Sequence, residues 1–392
     1  MDSLDLAEAF RHRSCSSLSE WHGTWRGTFL SIPKSRLASV DCSDLYSDVL
    51  HRPFVCAHIN LAPYYQDVPS TNVIPQLDQL SPEEFGSTWS SKPFILTFPV
   101  KEWPVYTSWS TEYLVKHHSS TMFRAEAIDW PLKIYVQYMR GNIDESPLYL
   151  FDKSFSDKLS VSKDAYRTPE CFGADLFTAL GDERPDHAWL IIGPERSGST
   201  FHKDPNATSA WNAVIRGCKY WIMFPPYITP PGVYVSDDQS EVTSPLSIAE
   251  WLIGFHAQAR CTQGCREGIC KEGELLHVPS GWWHLAVNLT ESIAITQNFV
   301  PQSHLEDVMD FLATKPDQVS GFSNDVKDPF SLFKQKMQET YPDISIQDTK
   351  RLQATNTSKK RLWDQVIKTV PEKRSRNAFS FAFGDDSDDD VP

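Results

Sequence analysis

Residues 193–226 read GPERSGSTFHKDPNATSAWNAVIRGCKYWIMFPP, and the reading of this stretch decides the fold. His202 and Asp204 stand one residue apart, upstream of Ala213–Ile215 and Tyr220–Phe224, which carry the β-branched and aromatic residues of strands. On an extended segment alternate side chains share a face, so an imidazole and a carboxylate at this spacing can address one point. A second stretch, residues 273–288, GELLHVPSGWWHLAVN, places His284 behind a Pro-Ser-Gly turn and two tryptophans. Two imidazoles and one carboxylate, drawn from two strands, occupy one face of an octahedral metal and leave three positions open. That arrangement suits non-haem Fe(II) oxygenases. Each piece alone is weak: a His-X-Asp triplet arises by chance in most chains of this length, and a lone histidine is more often a hydrogen-bonded core residue. Lys219 adds weight, because it lies among the apolar strand residues Ile215, Trp221 and Phe224, where a solvated lysine is out of place. A buried ammonium is a point charge with three donors, fit to receive a carboxylate.

Working outward, further short strands are expected at Phe94–Pro99, Leu132–Met139, Leu148–Phe151, Trp189–Ile192, Glu274–Val278 and Ile293–Phe299. Many short strands without alternating helices point to a mainly β sandwich or barrel with flanking helices, not to a doubly wound sheet. Ser81-Pro82-Glu83-Glu84 has the pattern of a helix start, with Ser81 as N-cap and Glu84 three residues on. Helices are expected at Thr111–His117, and after Pro301 at Ser303–Leu312 and Pro329–Tyr341, where apolar residues recur at helical spacing. Before residue 80 there are only helix-like scraps, Leu4–Phe10 and Asp41–Leu50. From about Arg351 the chain turns polar, with basic clusters at Lys359-Lys360-Arg361 and Lys373-Arg374-Ser375-Arg376 ahead of an acidic end, and it is expected to be a disordered charged tail. The expected plan is therefore a poorly defined region over 1–80, the catalytic domain with its lead-in over 81–300, C-terminal helices over 301–345 and the tail over 346–392.

The 392 residues suffice for a large core, and 13 Trp and 22 Phe make it an aromatic one. No run of 18 apolar residues is present, so no membrane-spanning helix is expected. Eight cysteines are thinly spread, and Cys261, Cys265 and Cys270 lack the paired spacing of a zinc site, so ordinary thiols are expected. The sequons at Asn206, Asn288 and Asn356 carry no weight without secretion. A net charge of −14 disfavours direct nucleic-acid binding and favours a basic, Lys/Arg-rich partner. Gly198 and Gly281 are expected at tight turns, Trp211, Trp282 and Trp283 as core or pocket wall, and Arg196 in a surface ion pair.

Residues 193–226 and 273–299 (GELLHVPSGWWHLAVNLTESIAITQNF) resemble the jumonji-C family of Fe(II)- and 2-oxoglutarate-dependent oxygenases. They are most similar to its subgroup of bifunctional arginine demethylases and lysyl hydroxylases. The stretches SPEEFGSTWSSKPFIL (81–96) and KIYVQYMRGNIDESPLYLFD (133–152) fit the same subgroup. The resemblance implies a double-stranded β-helix, a cupin-like jelly roll. It implies iron held by His202, Asp204 and His284, and 2-oxoglutarate held by Lys219 at its distal carboxylate. Tyr149, Asn212 and Thr296 match residues lining that pocket. Ser199 stands where the subgroup has threonine, keeping the hydroxyl. The implied cofactors are Fe(II), 2-oxoglutarate and O2, with ascorbate as reductant in assay, and the implied reaction is hydroxylation of protein side chains, either lysyl hydroxylation or N-methyl arginine or lysine demethylation, with histones among the candidate substrates. The alternatives are a non-catalytic adaptor, or an oxygenase acting on nucleic acid or a small molecule. WHGTWRGTFL (21–30) and DLYSDVLHRPF (44–54) resemble the segment that follows an F-box in some jumonji proteins, although the F-box helices are absent. Family likeness and the basic clusters imply a nuclear location, otherwise a cytoplasmic one, and the C-terminal helices offer a route to a homodimer.

Overall fold

In strand Ser209–Arg216 nearly every residue is buried, yet the sequence alternates between two environments. Ala210 and Val214 pack in one apolar cluster, while Trp211, Ala213 and Ile215 pack in another. Such a strand needs cover on both faces, and the architecture supplies it. The computed structural model describes residues 56–344, residues 238 and 246 excepted. The helix-like segments near Leu4 and Asp41, the F-box-associated stretch, the sequon at Asn356 and the charged tail lie outside the described residues. The described strands are β1 (Gln76–Leu77), β2 (Phe94–Leu96), β3 (Met122–Ala125), β4 (Ile128–Pro131), β5 (Leu150–Asp152), β6 (Ala188–Gly193), β7 (Gly198–His202), β8 (Ser209–Arg216), β9 (Cys218–Phe224), β10 (Tyr234–Val235), β11 (Val242–Thr243), β12 (Arg266–Lys271), β13 (Leu275–Val278), β14 (Trp283–Asn288) and β15 (Ser292–Phe299).

They form a nine-stranded sheet, β1-β2-β13-β8-β15-β6-β5-β3-β4, and a four-stranded sheet, β12-β9-β14-β7, with β10 and β11 paired apart. All pairings are antiparallel except β1–β2. Consecutive strands of this jelly roll, such as β8 and β9, lie in different sheets. The inner faces meet over Val214, Leu276 and Val278 of the large sheet and Trp221, Met223 and Ala286 of the small one. The outer face of the large sheet is covered by helices Thr111–His118 and Leu132–Gly141, through Leu114, Leu132, Tyr135 and Met139. Helix Ile248–Cys261 covers the small sheet with Trp251 and Leu252 against Phe201, Ile222 and Leu285. Helices Leu305–Thr314 and Pro329–Thr340 bury Leu305, Val308, Met309, Phe333 and Met337 against Phe177 and Leu180.

Leu132–Met139, expected as a strand, is the helix Leu132–Gly141. Its buried residues, Leu132, Tyr135, Val136 and Met139, fall at i, i+3, i+4 and i+7, the period of one helix face, which outweighs its β-branched and aromatic content. The expected Phe94–Pro99 strand stops at Leu96 and gives way to a 3-10 turn at Pro99. Ser81 does cap its helix, accepting from the Glu84 amide at 3.2 Å while Glu84 accepts from the Ser81 amide at 3.1 Å.

Strand β12 would present an open edge, but residues 72–74 run beside it. The Ile74 amide donates to the Glu267 carbonyl at 2.9 Å, and the Glu267 amide to that of Asn72 at 2.7 Å. The Glu267 side chain anchors the same segment from beneath. It is buried and accepts from Nε and Nη2, one edge of the Arg260 guanidinium, at 2.7–3.1 Å, from Asn72 at 3.3 Å and from the Tyr220 hydroxyl. Arg260 also donates to the carbonyls of Tyr64 and Gln66. The described cysteines are free, and Cys261 is exposed while Cys265 and Cys270 are buried.

Candidate active site

His202 ends β7 and His284 is the second residue of β14, and the two are direct cross-strand partners. Cross-strand partners project to one face, so the rings meet with centroids 4.1 Å apart. Asp204 follows β7 in extended conformation (φ −63°, ψ 148°), and its Oδ2 lies 3.9 Å from His284 Nε2. One donor atom from each of the three residues can be chosen so that all lie within 4.8 Å of one another; this is the cluster of that kind found among the described residues. The turn after Asp204 is held open by Asn206 and Ala207, both at positive φ. Asn206 is buried there and bonds the backbone of Ser320 through both ends of its amide, at 2.9 and 3.1 Å. The first sequon asparagine is thus a structural pin.

The hydrogen bonds leave three bare acceptors pointing at one another. His202 Nδ1 lies 2.7 Å from the Thr200 carbonyl and His284 Nδ1 lies 3.0 Å from the Trp282 carbonyl. A carbonyl only accepts, so each Nδ1 carries the proton and each Nε2 is a free lone pair. Asp204 Oδ2 is buried without a hydrogen-bond partner. Burial holds both histidines down to about 4, helped at His202 by the neighbouring imidazole, and pushes Asp204 up to about 6. Buried acceptors gathered with no donor among them fit a divalent cation, and this set of two imidazoles and one carboxylate fits ferrous iron.

Ser199 reaches the same face through an irregularity. Between His284 and Ala286 the β7–β14 register shifts, so Ala286 pairs with Ser199 rather than with residue 200. The extra residue on β7 turns Ser199, three before His202, onto the face that an unbroken strand would deny it. Gly198 permits the close approach, since a Cβ there would collide with the Ala286 carbonyl oxygen. Gly281, expected at a turn, has φ 70° in the loop before β14.

Lys219 lies on the same inner face, paired with Asn288, four residues along β14 from His284. That is roughly 13 Å of strand. Lys219 is 1% exposed, and its Nζ donates to Tyr149 Oη at 2.6 Å and to Asn288 Oδ1 at 2.7 Å. Burial lowers its ammonium to about 7 and raises the Tyr149 phenol. Asn212 and Thr296 are partners across β8–β15. Asn212 Oδ1 is buried and unbonded, while the Thr296 hydroxyl donates to the Trp211 carbonyl at 2.9 Å. Trp211 itself points to the opposite, outer core, and Trp283 packs in the cluster under helix Ile248–Cys261. Arg196, expected in an ion pair, donates instead to the Asp144 carbonyl at 2.7 Å.

The sequence reading passed over Asn288, Ser197 and Asn298. Asn298 donates to Thr208 at 3.0 Å, and a hydrogen bond from its side chain opposes the upward push of burial on Asp204. The signal was there for Asn298, which continues the inward alternation of Ala294 and Thr296 along β15.

A family model described as a cupin-like domain matches residues 134–304. Arginine-specific demethylase JMJ22 of Arabidopsis thaliana is 39% identical over 362 residues, covering 88% of this chain and 71% of that protein. The bifunctional arginine demethylase and lysyl-hydroxylase psr-1 of Caenorhabditis briggsae is 31% identical over 275 residues, 65% of this chain and 68% of its own. The 2-oxoglutarate and iron-dependent oxygenase JMJD4 of Danio rerio is 29% identical over 212 residues, 50% of this chain and 47% of its own. The jelly roll, its His-Asp-His cluster and these likenesses define a class: the chain belongs to the cupin-like jumonji-C domain oxygenases, enzymes that use iron and 2-oxoglutarate. Within that class its place is in the subgroup of the arginine demethylases and the bifunctional demethylase and lysyl-hydroxylase.

Proposed function

We propose that the protein oxidises side chains of basic protein substrates, removing N-methyl groups from arginine or lysine or hydroxylating lysine. The observation that carries the reading is the pairing, on one inner face, of a cation-receiving triad with the buried Lys219–Tyr149 donors. The first fits a metal; the second fits the far carboxylate of a dicarboxylate. A cupin that only bound a metal would have no use for a buried ammonium there. Bound iron and 2-oxoglutarate supply oxidative decarboxylation of the cosubstrate coupled to insertion of one oxygen atom into a C–H bond. The protein's share is to bind and orient. His202, Asp204 and His284 would hold the metal, and the Thr200 and Trp282 carbonyls keep the two imidazoles in the tautomer that leaves Nε2 free to ligate. Lys219 and Tyr149 seat the distal carboxylate. Trp221, Met223 and Val214 keep the space between the sheets dry. An N-methyl carbon that gains a hydroxyl becomes a hemiaminal, whose C–N bond breaks to release formaldehyde while the hydroxyl proton passes to nitrogen; a hydroxyl on a lysine side-chain carbon stays.

Relatives named for arginine demethylation and lysyl hydroxylation support the substrate class, and a net charge of −14 suits a basic partner. Purified protein with Fe(II), ascorbate and 2-oxoglutarate should form succinate, and faster with methylarginine or lysine peptides. Mass spectrometry then separates demethylation, a loss of about 14 Da, from hydroxylation, a gain of about 16 Da. Metal-loaded protein that yields no succinate with any such peptide would return the fold to an adaptor role. Nuclear residence belongs to the same proposal and predicts that substituting both tail basic clusters moves the protein to the cytoplasm.

A further inference from the structure

Behind the cosubstrate end runs a buried chain of hydrogen bonds with a fixed direction. It starts at the Pro194 carbonyl, which can only accept. Ser197 Oγ lies 2.7 Å from it, so the single hydroxyl hydrogen of Ser197 is spent there. Towards its next partner Ser197 Oγ is therefore an acceptor, and Asn288 Nδ2 donates to it at 3.0 Å. With its NH2 group so engaged, Asn288 must present Oδ1 to Lys219, 2.7 Å away. Main-chain bonds clamp the asparagine in place: its amide donates to the Ser197 carbonyl at 2.8 Å, and its carbonyl accepts from the Arg196 amide at 2.9 Å. Asn288 and Ser197 are 0% and 1% exposed, so water does not compete for these bonds.

The chain then fixes what Lys219 has left to give. Of three ammonium hydrogens, one goes to Asn288 and one to Tyr149 Oη. Since that phenol oxygen accepts from lysine, its own hydrogen points elsewhere. One N–H and one O–H remain, side by side, enough for the two oxygens of one carboxylate.

We infer that Asn288, oriented by Ser197, is a positioning residue that holds Lys219 and Tyr149 as a two-donor fork and thereby makes the site select 2-oxo diacids over 2-oxo monoacids. The inference rests on the reading of 2-oxoglutarate as cosubstrate. Its content lies in the neutrality of Asn288. An aspartate there would neutralise Lys219 from behind and confront the incoming carboxylate with a like charge. The amide accepts one hydrogen and leaves the positive charge to be matched by the ligand. Burial of Lys219 without an anion lowers its proton affinity, in keeping with a charge that awaits its partner.

The test measures binding, not turnover. Protein loaded with Mn(II) or Zn(II) is titrated by calorimetry with 2-oxoglutarate and with 2-oxopentanoate, which keeps the chelating end and carries a methyl group in place of the distal carboxylate. Wild type should prefer 2-oxoglutarate at least tenfold. Asn288→Asp should weaken 2-oxoglutarate tenfold or more and change 2-oxopentanoate by less than about threefold, since like charge acts on the distal end alone. Ser197→Ala, which frees the amide to rotate, should erode the preference in the same direction and is the deciding variant if Asn288→Asp does not fold. Equal weakening of both ligands, or an unchanged preference in a folded variant, overturns the inference. A wild type without preference would overturn the cosubstrate reading itself, and the inference with it.

Discussion

Replacing Glu267 by alanine should cost the protein about a third of its stability, although Glu267 lies on the outer face of its sheet, away from the metal cluster. Burial alone would raise its carboxyl, but hydrogen bonds from His256, Arg260, Tyr220 and Asn72 outweigh that and hold it at about 2, against 4.5 for a free glutamate. At about 1.4 kcal/mol for each pH unit, the difference corresponds to about 3 kcal/mol. Independently, removing one member of a buried ion pair costs about 3–5 kcal/mol, because the partner stays behind uncompensated. Arg260 would be that partner, its side chain only 18% exposed. Against a typical stability of about 5–15 kcal/mol the loss is large. Urea unfolding should show the midpoint falling by about 1 M with little change in slope. Glu267→Gln keeps the shape and one acceptor but removes the charge and leaves Arg260 uncompensated, so it should lose nearly as much, about 3 kcal/mol. The folded value lies below the unfolded one, so this stabilisation is complete above about pH 4.5 and drains away as the pH falls toward 2. The gap between wild type and Glu267→Ala should accordingly narrow from pH 5 to pH 3. A loss below 1 kcal/mol in Glu267→Ala, or a gap that widens on acidification, would refute the reasoning.

His202→Ala should lower affinity for Mn(II) by about 100-fold or more, read by calorimetry, while leaving far-ultraviolet circular dichroism unchanged. Lys219→Met should weaken 2-oxoglutarate by about 10- to 100-fold, the worth of a charge-assisted bond, without loss of metal. Because burial places the free Lys219 ammonium at about 7, wild-type affinity for 2-oxoglutarate should decline as the pH rises above 7, and the Met variant should lack that decline. Gly198→Ala should push β7 away from β14 and cost about 2 kcal/mol or more, with metal affinity falling alongside the melting temperature.

Much of the site was legible because its chemistry is concentrated in short stretches. His202 and Asp204 alternate on one extended segment, and Lys219 is a charge among apolar neighbours. What stayed hidden depends on pairing. Ser199 shares the face of His202 only because β7 carries an extra residue opposite β14, and nothing in GSTFH announces a bulge. Asn288 looks like a surface sequon until Lys219 is laid against it, 69 residues away. Strand β12 (REGICK) escaped notice because its outward Glu267 is buried by a partner helix and not by its own apolar character. Helix Ile248–Cys261 escaped because Gly254 and the polar residues between Phe255 and Arg260 blur its period, whereas Trp251, Leu252 and Ala259 secure it through packing. The untwinned strand expectation at Leu132–Met139 shows the reverse failing, propensity overriding a period that was present.

The segment at residues 72–74 beside β12 bears on how the protein can be cut down. A truncation guided by the recognisable motifs would begin after it and still contain every residue of the candidate metal and cosubstrate sites. Such a fragment would bare the backbone donors and acceptors of β12 over its exposed length and strip Glu267 and Arg260 of Asn72, Tyr64 and Gln66. An unpaired strand edge recruits other chains. The shortest soluble version of this enzyme is therefore set by the strand that needs a neighbour, not by the His-Asp-His cluster.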